Sequence, residues 1–305
     1  MIPDLTRSAA ILIALLLTFL TATVDRAAAP RRLAFERDGG VWVAGIDGSA
    51  PKMIARGQLP EISPDGARLA YNTFQAVGQP AHRQLAIVDL AAGTTTILER
   101  IPSTNVMAPR WSSDGLRLLF DYYVDNDRRI GVVNTDGTGF TGVLDTQRPH
   151  RNYWSATWAA DGRSLFAQDL ESLYRLDLAG NVLKQWRIEQ IVPRGGMSGD
   201  VRFAAAPDGR TLLMDVEMSE QERRGWDGPP PAIWLFDLAS ETSKRLTAPS
   251  LYAWNCAWLD APDSILFISQ TRAETTPSIY RMTTNGQGAD RRLLVRNART
   301  PSASR

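Results

Sequence analysis

An Asp-Gly turn recurs along this chain of 305 residues. It closes EISPDG (Glu61–Gly66), RWSSDG (Arg110–Gly115), TWAADG (Thr157–Gly162) and AAAPDG (Ala204–Gly209), and AWLDAPD (Ala257–Asp263) is a degraded copy. The aspartates Asp65, Asp114, Asp161, Asp208 and Asp263 stand 49, 47, 47 and 55 residues apart. Asp-Gly between two apolar runs marks a hairpin, because Gly supplies the positive φ that tight turns demand. Each turn leads into a strand-like run: ARLAY, LRLLF, RSLFA, RTLLM and SILFI.

A second string recurs independently: VWVAGIDG (Val41–Gly48), LAIVDLAAG (Leu85–Gly93), IGVVNTDG (Ile130–Gly137), LYRLDLAG (Leu173–Gly180), IWLFDLAS (Ile233–Ser240) and IYRMTTNG (Ile279–Gly286). Each is a β-rich run closed by turn residues. A weaker run follows each of them: KMIA, TTIL, FTGVL, VLKQW, KRLT and RRLLV. The repeat is therefore four short strands, a to d, over about 46 residues with no helix, the period of a propeller blade. A β-sandwich lacks a repeat of this constancy. The expected fold is all-β, a six-bladed β-propeller of four-stranded antiparallel blades.

Strand c occurs six times and strand a five times. The first blade opens at its strand b, LAFER (Leu33–Arg37), with no hairpin of its own. Either the C-terminal tail Arg299–Ser304 supplies the missing inner strand and closes the ring, or the first blade has three strands and the tail frays. Pro301 removes one donor from that tail, and its β propensity is poor.

Residues 1–29 read as an export signal. Arg7 precedes an apolar run from Ala9 to Leu20, and Ala27–Ala29 supplies small residues for cleavage. The run is short for a membrane span. Asp4 and Pro30 also leave open an uncleaved anchor, which would make the chain a sensor or anchored domain. No cysteine follows the run, so a lipid anchor is excluded. The expected organisation is a signal or anchor over 1–29 and a propeller over 30–305, in the periplasm or secreted.

Charge and composition remove several function classes. The net charge is +1 with no basic stripe, which argues against nucleic acid. Cys256 is the only cysteine, so neither a disulfide nor a thiolate zinc site forms within one chain, and core filling is its expected role. His82 and His150 are the only histidines, too few for a multi-histidine metal site. Asp125-Asn126-Asp127 resembles part of a calcium loop but lacks its glycine and its downstream glutamate, and reads as a solvated hairpin tip. There is no G-x-S-x-G elbow and no dinucleotide or phosphate loop. No cofactor and no metal are expected. The turn aspartates are expected to bind backbone N–H groups within their hairpins.

Strand direction puts the a–b and c–d turns on one face and the b–c and d–a connections on the other. The first set is tight. The second holds the longer segments, including Thr73–Gln84, Asp145–Ser155 and Val216–Ala232. Long loops on a rigid scaffold are where recognition concentrates. Candidate binding residues on that face are His150, Arg151, Tyr153 and Trp154, then Arg223, Arg224 and Trp226, then Tyr252 and Trp254, with His82 and Arg83 nearby. Aromatic and Arg side chains are the usual interface anchors. The competing reading packs Trp154 and Trp254 between neighbouring blades. Trp42, Trp111, Trp158, Trp234 and Trp258 are expected in the core.

The [W/I]-S-P-D-G hairpin followed by an Ile-Tyr/Trp-x-x-Asp-Leu strand resembles the Asp-repeat, WD-repeat-like propellers of the TolB family, periplasmic components of the Tol–Pal envelope system. Prolyl-oligopeptidase-like peptidases carry the same repeat. The likeness spans Leu33–Val295 and concerns the propeller alone, since TolB proteins carry a further N-terminal domain for which this chain has no room. It implies a monomeric, non-enzymatic scaffold that binds a protein or peptide in the envelope. The alternative is a carbohydrate-processing lyase or hydrolase at the mouth of the central channel, using carboxylates such as Asp121 with Asp200 or Glu217.

Overall fold

The computed structural model describes residues 30–73, 82–144, 152–218, 230–270, 274, 276–286 and 288–305, so the expected export segment 1–29 lies outside it. The first strands are β1 (Arg32–Arg37), β2 (Gly40–Gly45) and β3 (Lys52–Ile62). β3 serves two sheets: Lys52–Arg56 pairs with β2, and Gly57–Ile62 pairs with β4 (Arg68–Thr73). β5 (Leu85–Asp89) and β6 (Thr95–Ile97) complete the second of these. The next sheet is β7 (Val106–Trp111), β8 (Arg117–Val124), β9 (Asp127–Asn134) and β10 (Thr141–Val143). It is followed by β11 (Trp154–Trp158), β12 (Ser164–Gln168), β13 (Ser172–Asp177) and β14 (Val182–Arg187).

A single helical turn, α1 (Ile188–Ile191), then leads to β15 (Gly195–Gly196) and β16 (Phe203–Ala205). Both pair with β17 (Thr211–Met218), which continues into β18 (Pro231–Asp237) and β19 (Thr242–Arg245). The last strands are β20 (Tyr252–Asp260), β21 (Ser264–Gln270), β22 (Ser278–Thr283), β23 (Arg292–Val295) and β24 (Arg299–Ala303). All ladders among these strands are antiparallel. The innermost strands touch in the order β3, β7, β11, β16, β20 and β24, and β24 touches β3. The fold is an all-β propeller of four-stranded antiparallel blades.

The hairpin chemistry explains the phase of the repeat. Asp65 Oδ1 accepts from Ala67 N (3.0 Å) and from Ser63 Oγ (2.5 Å), while Ser63 Oγ accepts from Arg68 N (2.8 Å). Asp114 repeats the pattern with Leu116 N and Ser112 Oγ, and these bonds hold its carboxyl below the ordinary range. Asp161 and Asp208 accept from Arg163 N and Arg210 N. Asp125 and Asn126 both have positive φ (50° and 69°) at the exposed β8–β9 tip, the conformation of a type I′ turn.

Apolar clusters fill the space between successive blades. Leu33 and Phe35 of β1 share one with Ala257 of β20 and Leu266 of β21, so it joins the two ends of the chain. Tryptophans on the inner strands add a directional bond between blades: Trp111 Nε1 donates to Glu61 O, Trp158 Nε1 to Arg110 O and Trp258 Nε1 to Ala204 O (2.8–3.1 Å). The arginine that opens strand b clamps the next blade from outside. Arg68 donates to Gly115 O and lies over Trp111, and Arg117 donates to Gly162 O and lies over Trp158. At the C-terminus β24 pairs with β1, Leu33 opposite Ala303 and Ala34 opposite Ser302. Ser304 N donates to Arg32 O, and Arg305 N to Pro64 O.

Candidate functional site

The strand-b register places Glu36, Asn72, Asp121, Gln168, Asp215 and Ile268 at equivalent positions beside the central channel. Five of these six are polar, and Glu36, Asn72 and Asp215 bond to the inner strand of the next blade where it bulges. Leu59, Ala108, Ser155 and Asn255 take positive φ at those bulges. Asn72 donates to Val106 O (2.6 Å) and accepts from Ala108 N (2.9 Å). Glu36 accepts from Leu59 N (3.2 Å), and Gln168 donates to Ser198 O (2.9 Å). Asp215 accepts from Asn255 N (2.7 Å) and from Arg202 N.

Burial dominates the electrostatics of this belt. Desolvation pushes Asp215 up to about 6, against the pull of its two backbone donors. It also raises Asp121, which Arg128 Nη2 opposes from 2.6 Å. Both carboxylates are thus held in structural bonds.

Two cavities open along the channel, one from each face. The one on the face of the long connections has a volume of about 860 Å³ and the other about 520 Å³. Arg110, Arg202 and Phe203 line both, so these residues form the floor between them. Glu61 Oε2 accepts from Arg202 Nη2 at 2.9 Å and lies 3.7 Å from Arg110 Nη1. This cluster crosses the channel, linking residues 141 positions apart in sequence. Burial, then the positive charge of Arg202, lowers Arg110 to about 10, which leaves it a cation at neutral pH.

Of the candidates read from sequence, Trp254 lines the 860 Å³ cavity and packs against the Leu33–Phe35 cluster. Arg83 lines the same mouth, its Nε donating to Asn105 Oδ1 (2.8 Å). Trp154 is half-buried opposite Gln168. Tyr153 is buried against Tyr174, ring centroids 5.0 Å apart, and Tyr252 is buried as well. His150, Arg151, Arg223, Arg224 and Trp226 lie outside the described residues. Sequence reading did not single out Glu61, Arg110 or Arg202. For Glu61 and Arg110 the available signal was a charged residue at the inner-strand position where Thr157, Ala204 and Ala257 stand in other blades, whereas Arg202 stands two residues earlier in its repeat. Cys256 is buried, and desolvation pushes its thiol well above the ordinary value. No group of His, Cys, Asp and Glu suited to a metal occurs among the described residues.

No family model matches the chain, and no curated protein does. Solved structures do. TolB from Acinetobacter baumannii is similar at a TM-score of 0.66 and 17% identity, covering 91% of this chain and 67% of that one. The fold is that of a TolB-like β-propeller. A putative TolB from Agrobacterium tumefaciens is similar at a TM-score of 0.58 and 16% identity, over 87% of this chain and 88% of that one. The propeller also matches a chain of a nidogen/laminin complex, at a TM-score of 0.63 and 10% identity, over 90% of this chain and 98% of that one. Enzymes share the TolB-like fold too, among them a puromycin hydrolase and an oligogalacturonate lyase, at TM-scores of 0.55 and 0.53. At these identities the likeness speaks for fold alone.

Proposed function

We propose that the chain is an exported, monomeric, six-bladed propeller that binds a protein or peptide in the periplasm or cell envelope and performs no chemistry itself. In this reading residues 1–29 are the export signal and 30–305 form the propeller domain, its ring closed by β24. Support for six blades comes from the contact order of the inner strands, which returns from β24 to β3, and from the apolar cluster shared by β1, β20 and β21. No helix among the described residues is long and apolar enough to cross a membrane.

The observation that carries the binding role is the cavity on the face of the long connections. It opens beside Trp254 and is lined by Arg83, Met107, Asp200 and Gln270. The candidates His150, Arg151, Arg223, Arg224 and Trp226 belong to connections expected on this face from the direction of the strands. A lyase or hydrolase there would need carboxylates free to exchange protons. Of the carboxylates expected for such chemistry, Asp121 is paired with Arg128, Asp200 lines the cavity mouth with no ion pair among the described residues, and Glu217 does not line the cavity. Retention of envelope proteins on the immobilised chain, compared with an Arg224→Ala/Trp226→Ala/Trp254→Ala variant, tests the role. Specific partners that the variant loses support it, and identical retention by both proteins rejects it.

A further inference from the structure

We infer that the cleft between the β11–β14 blade and the β16–β19 blade is a binding site for a small guanidinium-bearing molecule, which takes the seat that an arginine of the chain takes between other blades. The cleft lies among the tight turns, away from the face proposed for protein docking, and the two readings stand or fall separately.

The chain itself shows what such a seat holds. At the start of strand b the register makes Arg68, Arg117, Ser164 and Thr211 equivalent. On the inner strand it makes Trp111, Trp158, Ala205 and Trp258 equivalent. Arg68 lies over Trp111 and Arg117 over Trp158, each Cζ less than 5 Å from the ring centre (4.7 and 4.8 Å). Each also donates to a turn carbonyl of the following blade, Gly115 O or Gly162 O, at 2.7 Å. Arg68 reaches Thr135 Oγ1 as well.

Between β12 and β16 both members of the pair are absent, because Ser164 and Ala205 stand in their places. A cavity of about 340 Å³ lies there. Its walls include Gly209 and Leu238, the counterparts of Gly115 and Thr135. Ala205 is half-buried and Gly209 exposed, whereas Trp111 and Gly115 are buried, so the seat is open to solvent. The junction of β21 and β24 also has two small residues, Ser264 and Ala303. There Arg31 crosses the gap, donating to Leu259 O, Asp260 and Ser304 O.

Charge selects the ligand. Asp161, Arg175 and Asp208 are the charged side chains on the walls. Arg175 occupies the strand-c position of Ile87 and Val132, and its bonds, to Ser164 Oγ (3.0 Å) and Asp161 Oδ2 (2.9 Å), stay within its own blade. That pair is neutral, which leaves Asp208. Asp208 accepts from Arg210 N and has no ion pair among the described residues. The charge of Arg210 acts on Asp237, and Arg163 stands at the outward turn position where Leu116 is exposed. Gly209 O accepts no hydrogen bond among the described residues. Ala159, Phe166, Pro207 and Leu238 supply apolar walls. The matching ligand is a monocation whose guanidinium donates to Gly209 O and Asp208, with a flat apolar body in the space of the absent indole.

Phenylguanidinium is the probe and phenylurea its neutral counterpart of similar shape, each titrated into the chain at neutral pH and followed by amide NMR. Phenylguanidinium is expected to bind one per chain and to shift the Ala205 and Gly209 amides, with phenylurea at least about fivefold weaker. Asp208→Asn, an exposed turn substitution, is expected to weaken phenylguanidinium by about five- to tenfold and to leave phenylurea unchanged. Ser164→Arg/Arg175→Val copies the arrangement of Arg117 and Val132 and fills the seat from within. It is expected to abolish binding with Tm at or above that of the wild type. Equal binding of the two probes by the wild type overturns the inference. So do unshifted Ala205 and Gly209 amides, and so does undiminished binding by the Ser164→Arg/Arg175→Val variant.

Discussion

Replacing Asp215 with asparagine is expected to remove a pH dependence that this one carboxyl imposes on stability. Asp215 is 4% exposed and titrates at about 6 in the folded chain, because burial penalises its charged form. In the unfolded chain the same carboxyl titrates near its ordinary value of about 4. The folded value is the higher one, so the associated stability is fully present below about pH 4 and is lost as pH rises through about 6. A shift of roughly two pKa units corresponds to about 3 kcal/mol. Asparagine has no proton to release, but its amide nitrogen cannot accept. One of the two N–H groups, from Arg202 or Asn255, then loses its acceptor, at a cost of about 1–3 kcal/mol. The two effects nearly offset at neutral pH and separate on acidification. Urea unfolding of both proteins between about pH 4 and 7.5 reads this difference directly. Wild type is expected to gain about 3 kcal/mol on the variant as pH falls across that window. A difference that stays flat refutes the assignment of the titration to Asp215.

Arg128→Met is expected to cost about 3–5 kcal/mol at neutral pH, because it leaves the Asp121 carboxylate buried without its partner. Adding Asp121→Asn should recover most of that loss, as chemical denaturation of the three variants will show. Arg117→Met removes the bond to Gly162 O (2.7 Å) and the guanidinium over Trp158 (4.8 Å), and should cost about 1–2 kcal/mol by the same assay. Deleting residues 299–305 strips β1 of one of its two neighbours and removes the bonds to Arg32 O and Pro64 O. With about 2–4 °C lost per kcal/mol for a chain of this size, a fall in Tm of more than about 10 °C is expected by scanning calorimetry.

The parts of the fold legible in sequence are those set by local chemistry. Asp-Gly turns need a left-handed residue at one point, and Gly66 and Gly115 take it with φ of 69°. That requirement fixes where strand a ends and strand b begins, and blade phase follows. The tryptophans Trp111 and Trp158 were readable as core because they stand two residues before a hairpin. The pairing of β24 with β1 was less legible, since Arg299–Ala303 has little β propensity and is held by position in the ring. The Glu61–Arg110–Arg202 cluster depends on an approach across the channel by strands remote in sequence, which no local pattern encodes. Tyr153 and Tyr252 show the converse limit. Both sit beside long connections, yet both are buried, Tyr153 in the apolar cluster that holds Trp158 and Tyr174, so membership of a connection does not by itself leave a side chain free on the surface.

The central claim is that this TolB-like propeller meets its partner on the face of the long connections. Site-specific photo-cross-linking in cells tests it most directly. The cross-linker is placed at Gln58 or Asp200 on that mouth, and at Ala91 or Arg163 on the tight-turn face. The expected result is a discrete adduct from Gln58 and Asp200 and none from Ala91 or Arg163. Adducts from Ala91 and Arg163 alone, or none from any position, would contradict the claim.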